Sequence, residues 1–268
     1  MKIGFIGSGN MAQAMIGGLL KAGLLDKASL MSSAASDKTI AAVAEKYGIK
    51  TTKDNKEVAA FSDILILAVK PNKYGEVIEE IKNAVTSETL IITIAAGITI
   101  EFVEKAFGKD LRVVRTMPNT PAMVGEGMTA VSFNKKVTEE DKATAISIFE
   151  SFGKAEVIEE YLMDVVPAVS GSSPAYVYMF IEALADGAVL GGIPRAKAYK
   201  MAAQAVLGSA KMVLEAGKHP GELKDNVCSP AGTTIEAVYT LEQNNFRGTV
   251  IAAMESCTAK AKKMSEKK

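Results

Sequence analysis

Cysteine and histidine are scarce. Cys228, Cys257 and His219 are the whole complement in 268 residues. Two thiols close at most one bridge, and no spacing suits a disulfide framework or a zinc site, so no metal is expected. A reducing, cytoplasmic setting fits such sparse cysteine. Charge of one sign is also lacking, since 31 basic and 31 acidic residues cancel. Nucleic acid and anionic membrane surfaces select a basic excess, so neither is an expected partner, while a small anionic ligand stays open. No apolar run approaches the ~20 residues of a membrane span. The mixed run around 183–190 is interrupted by Glu182, Asp186 and several glycines. A charged-then-apolar leader is missing too, and the first strand is expected from Lys2, so no cleaved targeting segment is expected. Catalytic machinery is thin. His219 beside Pro220-Gly221 reads as a helix start, Cys228 as a small apolar filler, and no nucleophile–base pair stands out.

What is present is apolar patterning. Hydrophobic residues make up 48% of the chain, enough for a sizeable core. Strands are expected at 2–6, 28–32, 49–51, 61–69, 89–95 and 112–116, with one more at 128–133. Helices are expected at 11–22, 37–47, 74–84, 100–107 and 139–152. Continuous runs such as ILILAV and LIITIA suit strands covered on both faces, as in a parallel sheet. The alternation predicts a Rossmann-like, doubly wound α/β domain over residues 1–160. After Tyr161 no strand is expected. Helices from 172 or 173 to 190, 194–216, 233–243 and 246–263, with a turn at 219–226, predict an all-helical domain over 161–268. The lysine-rich end, 260–268, reads as a solvated helix terminus. Small residues along 183–192 and helices apolar over much of their circumference predict an interface between subunits.

Two segments carry chemistry. The first, Gly7-Ser8-Gly9-Asn10-Met11-Ala12, follows a strand and opens a helix. This is the G-x-G-x-x-A form of the dinucleotide fingerprint: Gly7 for the turn, Gly9 for approach of the pyrophosphate, Ala12 for close packing of helix on sheet. Free N–H groups at the helix start favour phosphate. The second strand ends in Met31-Ser32-Ser33-Ala34-Ala35, without the acid that usually holds an NAD ribose. Two serines there are read as donors to a 2′-phosphate, which tilts the cofactor to NADP. Ala68-Val69-Lys70-Pro71, Ala95-Ala96-Gly97 and Met117-Pro118-Asn119-Thr120-Pro121 also follow strands and are expected at the same crevice, with ordinary turn chemistry as the other reading. Lys70 is assigned no proton transfer.

The second segment runs Asp225-Asn226-Val227-Cys228-Ser229-Pro230-Ala231-Gly232-Thr233-Thr234. A helix starting there has unpaired first-turn amides able to hold a carboxylate, and a hydroxyl able to meet a neutral reacting group. A simple threonine-capped helix is the other reading. On residues alone, a hydroxyacid dehydrogenase and a dinucleotide sensor stay open, although the former usually employs a Lys or His that this loop lacks.

Over essentially its full length the chain resembles the pyrroline-5-carboxylate reductase family. The resemblance rests on IGSGNMA at the start, AVKP at 68–71, AAG at 95–97, RTMPNTP at 115–121, SGSSPAY at 170–176 and DNVCSPAGTTIEAVYTLE at 225–242. Ala231 is a departure, standing where many relatives carry Gly. The resemblance implies reduction of 1-pyrroline-5-carboxylate to L-proline by NADPH or NADH, the last step of proline biosynthesis. It implies cofactor contacts at Ile6, Gly7, Ser8, Gly9, Asn10, Met11, Ser33, Asn55, Ala68, Val69, Lys70, Pro71, Ala95, Ala96 and Gly97. Substrate contacts are implied at Ser229, Gly232, Thr233 and Thr234, with the Thr234 hydroxyl beside the ring nitrogen. It further implies interlocked helical dimers, commonly five together, with the active site completed by the partner.

Overall fold

Four apolar runs form the centre of a sheet in the computed structural model, which describes residues 1–266. Strand β1 (Ile3–Ile6) lies between β2 (Leu30–Ser33) and β4 (Ile64–Leu67), and β5 (Leu90–Thr93) follows on the far side of β4. With β3 (Lys50–Thr52), β6 (Arg112–Met117), β7 (Gly127–Phe133) and β8 (Gly153–Val157), the order is β3-β2-β1-β4-β5-β6-β7-β8. Side chains alternate between faces, as a two-residue period requires. Ile64 and Ile66 enter one core with Phe5, Met15 and Leu19; Leu65 and Leu67 enter the other with Tyr74, Ile78 and Val103. Helices α1 (Asn10–Lys21), α2 (Asp37–Tyr47) and α6 (Glu139–Glu150) cover the first face. Helices α3 (Asn55–Phe61), α4 (Tyr74–Ile81) and α5 (Ile100–Phe107) cover the second. The chain winds from β1 outward to β3, then returns to β4 on the other side of β1. That reversal is the switch point at which such sheets bind ligands.

The sheet departs from expectation in three places. It is mixed, because β7 runs antiparallel to β6. Only a short 3₁₀ turn at Thr120–Val124 joins them, too short for a crossover helix. β8 was not legible in the sequence: it is an exposed edge strand, GKAEV, whose Lys154 and Glu156 mask any apolar alternation. Phe61 ends α3 instead of beginning a strand, and that seven-residue helix is set by Asp54, whose side chain accepts from the Lys56 and Glu57 amides.

The strand ends facing the switch point are held by a buried phenol. The Tyr74 hydroxyl donates to the Leu67 carbonyl and accepts from Thr93 Oγ1 at 2.9 Å. Burial pushes its pKa well above the ordinary phenol value, so it stays a donor. It thereby ties the ends of β4 and β5 together.

By compactness the chain forms two units, one of residues 1–172 with the chain from Ser256 onward, the other Ser173–Glu255. In the first, the end of the chain's last helix docks. Helix α11 spans Phe246–Ser265 and follows α7 (Ser173–Leu190), α8 (Arg195–Glu215), α9 (Pro220–Val227) and α10 (Thr233–Gln243). Buried Arg115 of β6 pairs with Asp164 at 2.7 Å and Glu160 at 3.4 Å, and Asp164 also accepts from Ser265 Oγ at 2.8 Å. Ala261 is buried. The expected solvated terminus over 260–268 is thus anchored as far as it is described; 267 and 268 lie outside the described residues.

The second unit is all helical. Residues 219–226, expected as a turn, belong mainly to α9, which His219 caps by accepting the Gly221 N–H on Nδ1 at 3.0 Å. Its helices bury few side chains. Leu190 is 90% exposed and Leu214 83%, with Met179, Met201, Tyr239 and Ile251 also open to solvent. An isolated copy therefore leaves a large apolar surface uncovered.

Candidate functional site

The first cradle forms where β1 ends. Gly7 adopts φ +99°, and a Cβ there would lie 2.6 Å from the Ala68 carbonyl oxygen. The turn is pinned on both sides: Gly7 N–H donates to Ser33 O at 3.1 Å, and Ala68 N–H donates to Ile6 O at 2.8 Å. Ser8 is buried and donates to Ser33 O at 2.9 Å, while Gln13 Nε2 donates to Ser8 O at 3.0 Å. Gly9 then caps α1. No side chain caps the helix and no acid lies in its first turn. The space a Gly9 Cβ would occupy is open to 4 Å. Unpaired N–H groups, no competing carboxylate and room against the backbone are what a pyrophosphate needs, so these residues fit a dinucleotide. Asn10 is exposed and Met11 half-buried at the mouth.

The other expected cofactor residues follow neighbouring strand ends. Ser33 closes β2, Asn55 opens α3, Ala68 to Pro71 leave β4, and Ala95 to Gly97 leave β5. Ala68, Val69 and Pro71 are half-buried and Lys70 is exposed. Gly97 lies beneath Met264 of α11, so part of its smallness serves packing. Asn119 turns inward: its Nδ2 donates to Ser170 O and its Oδ1 accepts Met128 N–H, both at 2.9 Å. That residue braces the first unit.

The serine pair behaves differently from its sequence reading. Ser32 is fully enclosed, with its Oγ 3.1 Å from Ser8 Oγ, so it cannot reach a ligand. Ser33 donates to Asn55 Oδ1 at 2.7 Å, and Asn55 Nδ2 donates to Glu80 Oε2 at 2.8 Å. Sequence reasoning missed Glu80. It reaches Asn55 only because α3 and α4 share one face of the sheet, which no local pattern reveals.

The second cradle lies in the other unit. Gly232 N–H donates to Ser229 O at 3.0 Å, and Gly232 caps α10 with no side-chain cap. A Cβ on Gly232 would meet Ser229 Oγ at 2.3 Å. The threonine-capped reading therefore fails. Thr233 and Thr234 sit inside the first turn, and among the described residues neither hydroxyl has a hydrogen-bond partner. Thr234 is half-buried and Ser229 exposed. Both cysteines are free thiols. Among the described residues no cluster of three metal-ligating side chains exists and no helix is long and apolar enough to cross a membrane.

Ala231 differs more than its small side chain suggests. Its φ is +56°, the left-handed region where an L-residue costs ~1–2 kcal/mol. Ala231→Gly removes that strain and gives back part of the gain as unfolded-chain entropy, so a net ~0.5–1 kcal/mol of stabilisation is expected. A thermal melt reads it as a small rise in Tm; an unchanged or lower Tm contradicts it.

Comparison with known proteins decides the family. Residues 160–264 match a family model described as pyrroline-5-carboxylate reductase dimerisation, and residues 2–97 one described as NADP oxidoreductase, coenzyme F420-dependent. The pyrroline-5-carboxylate reductase of Escherichia coli K12 is 52% identical over 265 residues, covering 99% of this chain and 98% of the relative. The chain belongs to the pyrroline-5-carboxylate reductase family. The corresponding enzyme of Methanosarcina acetivorans is 44% identical over 99% of this chain and 98% of its own. The crystal structure of Plasmodium falciparum pyrroline carboxylate reductase with NADP bound matches at a TM-score of 0.90 and 37% identity, covering 99% and 98% of the two chains. The residues matched by the pyrroline-5-carboxylate reductase dimerisation model include the uncovered apolar helices, which is consistent with self-association.

Proposed function

We propose that this chain reduces 1-pyrroline-5-carboxylate to L-proline with NADPH, NADH being the alternative donor, as the last step of proline biosynthesis. The observation that carries the reading is the pairing, in one family member, of an uncapped dinucleotide cradle at Gly7 to Met11 with partnerless hydroxyls at Thr233 and Thr234. Bound NADPH supplies the hydride. Ile6 to Met11, Ser33, Asn55, Ala68 to Pro71 and Ala95 to Gly97 would hold it. The first-turn amides near Gly232 to Thr234 hold the substrate carboxylate, since they lack partners of their own. Ser229 would be a further contact to the substrate. The Thr234 hydroxyl accepts the N–H of the protonated ring nitrogen and fixes the ring, while the imine carbon takes the hydride and the nitrogen keeps its proton. Little acid–base machinery is needed, because the protonated imine is already electrophilic and the task is alignment.

Residues 1–160 serve as the dinucleotide domain and 161–268 as the dimerisation and substrate domain. The family model beginning at residue 160 supports that division. The dimer completes each active site with helices of its partner, and five dimers assemble together in a cytoplasmic enzyme. Unpaired Cys228 and Cys257 suit that compartment. The reaction is tested by following NADPH oxidation with 1-pyrroline-5-carboxylate against hydroxyacids. Consumption with the imine alone is the expected outcome.

A further inference from the structure

The turn that leaves β4 is closed by the side chain that follows it. Residues 68–73 depart from Leu67 and lead into Tyr74, the first residue of α4. The Tyr74 hydroxyl reaches back and donates to the Leu67 carbonyl at 2.5 Å. The same oxygen accepts from Thr93 Oγ1 at 2.9 Å, and Thr93 ends β5 just before the turn that carries Ala95 to Gly97. The Thr93 carbonyl in turn accepts from Thr116 Oγ1 of β6 at 2.8 Å. Registered pairing of β4 with β5 stops at Leu67 and Thr93. A parallel ladder sets the spacing of two strands only as far as its bonds run. At its last rung these hydroxyls join the roots of the two turns. Tyr74 and Thr93 are fully buried, so their bonds are shielded from solvent.

Sheets of this class meet the adenosine ribose at the end of β2 and the pyrophosphate at the end of β1. Strands β4 and β5 lie on the other side of β1. A dinucleotide laid across that reversal would set its nicotinamide half over the two turns that Tyr74 joins. Resting on the dinucleotide reading above, we propose that Tyr74 is a positioning residue for the nicotinamide half of the cofactor, its hydroxyl holding the 68–71 and 95–97 turns at the spacing which that half requires. Tyr74 is sealed in the core and acts only through Leu67 and Thr93. Tyr74→Phe keeps the packed ring but leaves the Leu67 carbonyl and the Thr93 hydroxyl without their shared partner. Binding must then restore a spacing that the fold no longer holds. The adenosine half, met at β1 and β2, is unaffected.

The test is titration of the full-length protein with NADPH, followed by fluorescence, and with 2′,5′-ADP, followed by calorimetry, in wild type, Tyr74→Phe and Thr93→Val. In Tyr74→Phe the dissociation constant for NADPH is expected to rise about fivefold, the worth of one ordinary hydrogen bond. That for 2′,5′-ADP, which lacks the nicotinamide half, is expected to stay as in wild type. The kcat/KM values for NADPH and NADH should fall by a common factor, because the two cofactors share that half. Thr93→Val keeps the bond from Tyr74 to Leu67 and severs only the link between the turns, so it should show the same selectivity at smaller size. Thermal melts set a working temperature below each transition, so that every titration reports folded protein. A merely structural role would lower Tm and leave the NADPH affinity of the folded protein at its wild-type value. That result overturns the proposal, as does equal weakening of both ligands. Should Tyr74→Phe not fold, Thr93→Val decides by the same criteria. If neither ligand binds wild type, the dinucleotide reading fails and takes this proposal with it.

Discussion

Gly7→Ala is expected to weaken NADPH binding by about 100-fold or more and to lower Tm as well. Two costs coincide at this residue. Its φ of +99° is held by few L-residues, at ~1–3 kcal/mol. The added methyl would lie 2.6 Å from the Ala68 oxygen and 2.8 Å from its carbonyl carbon. Both contacts are backbone, so no side chain can swing aside. The turn cannot retreat cheaply, because Gly7 N–H is bonded to β2 and Ala68 N–H is bonded to β1. Relief requires moving the whole Gly7 to Met11 segment, and misplacing such a cradle by about 1 Å costs roughly 10²-fold. Quenching of NADPH fluorescence on titration checks the loss. A dissociation constant within twofold of wild type would remove Gly7 from the cofactor site.

The second large effect is at Thr234. Thr234→Ala should lower kcat/KM for the imine by about 10- to 100-fold, the range for losing one hydrogen bond used in a transition state. NADPH affinity should not change, because the residue belongs to the second cradle. Stability should not change either, since the hydroxyl neither caps α10 nor has a partner among the described residues. Thr234→Ser keeps the hydroxyl and should retain most activity. Steady-state kinetics with both variants and one melting curve separate these outcomes. Unchanged kcat and KM in Thr234→Ala would contradict the assignment.

Much of the fold was legible in the sequence. The fingerprint at Gly7 to Ala12 and the buried strands ILIL and LIIT announce themselves because each depends on neighbours in sequence. His219 as a helix start was legible for the same reason: Pro220 fits a first turn. What escaped depends on contacts far apart. Strand β8 is defined by pairing with β7 and not by its own charged sequence. The direction of β7 follows from a short connection and not from its residues. Ser32 and Ser33 read alike in sequence, yet one is sealed against Ser8 and the other is committed to Asn55. The cost of Ala231 lies in a backbone angle that its side chain conceals. The lysine-rich end looked solvated because its anchor, Asp164 under Arg115, lies 101 residues away.

The central claim is that the two cradles serve one reaction, in which the first holds NADPH and the second presents a cyclic imine to it. Single-turnover reduction with NADPH deuterated at the transferred position tests this most directly. The account predicts proline carrying one deuterium at the former imine carbon, formed by wild type and strongly slowed in both Gly7→Ala and Thr234→Ala. Proline without the label, or full-rate transfer in both variants, would contradict it.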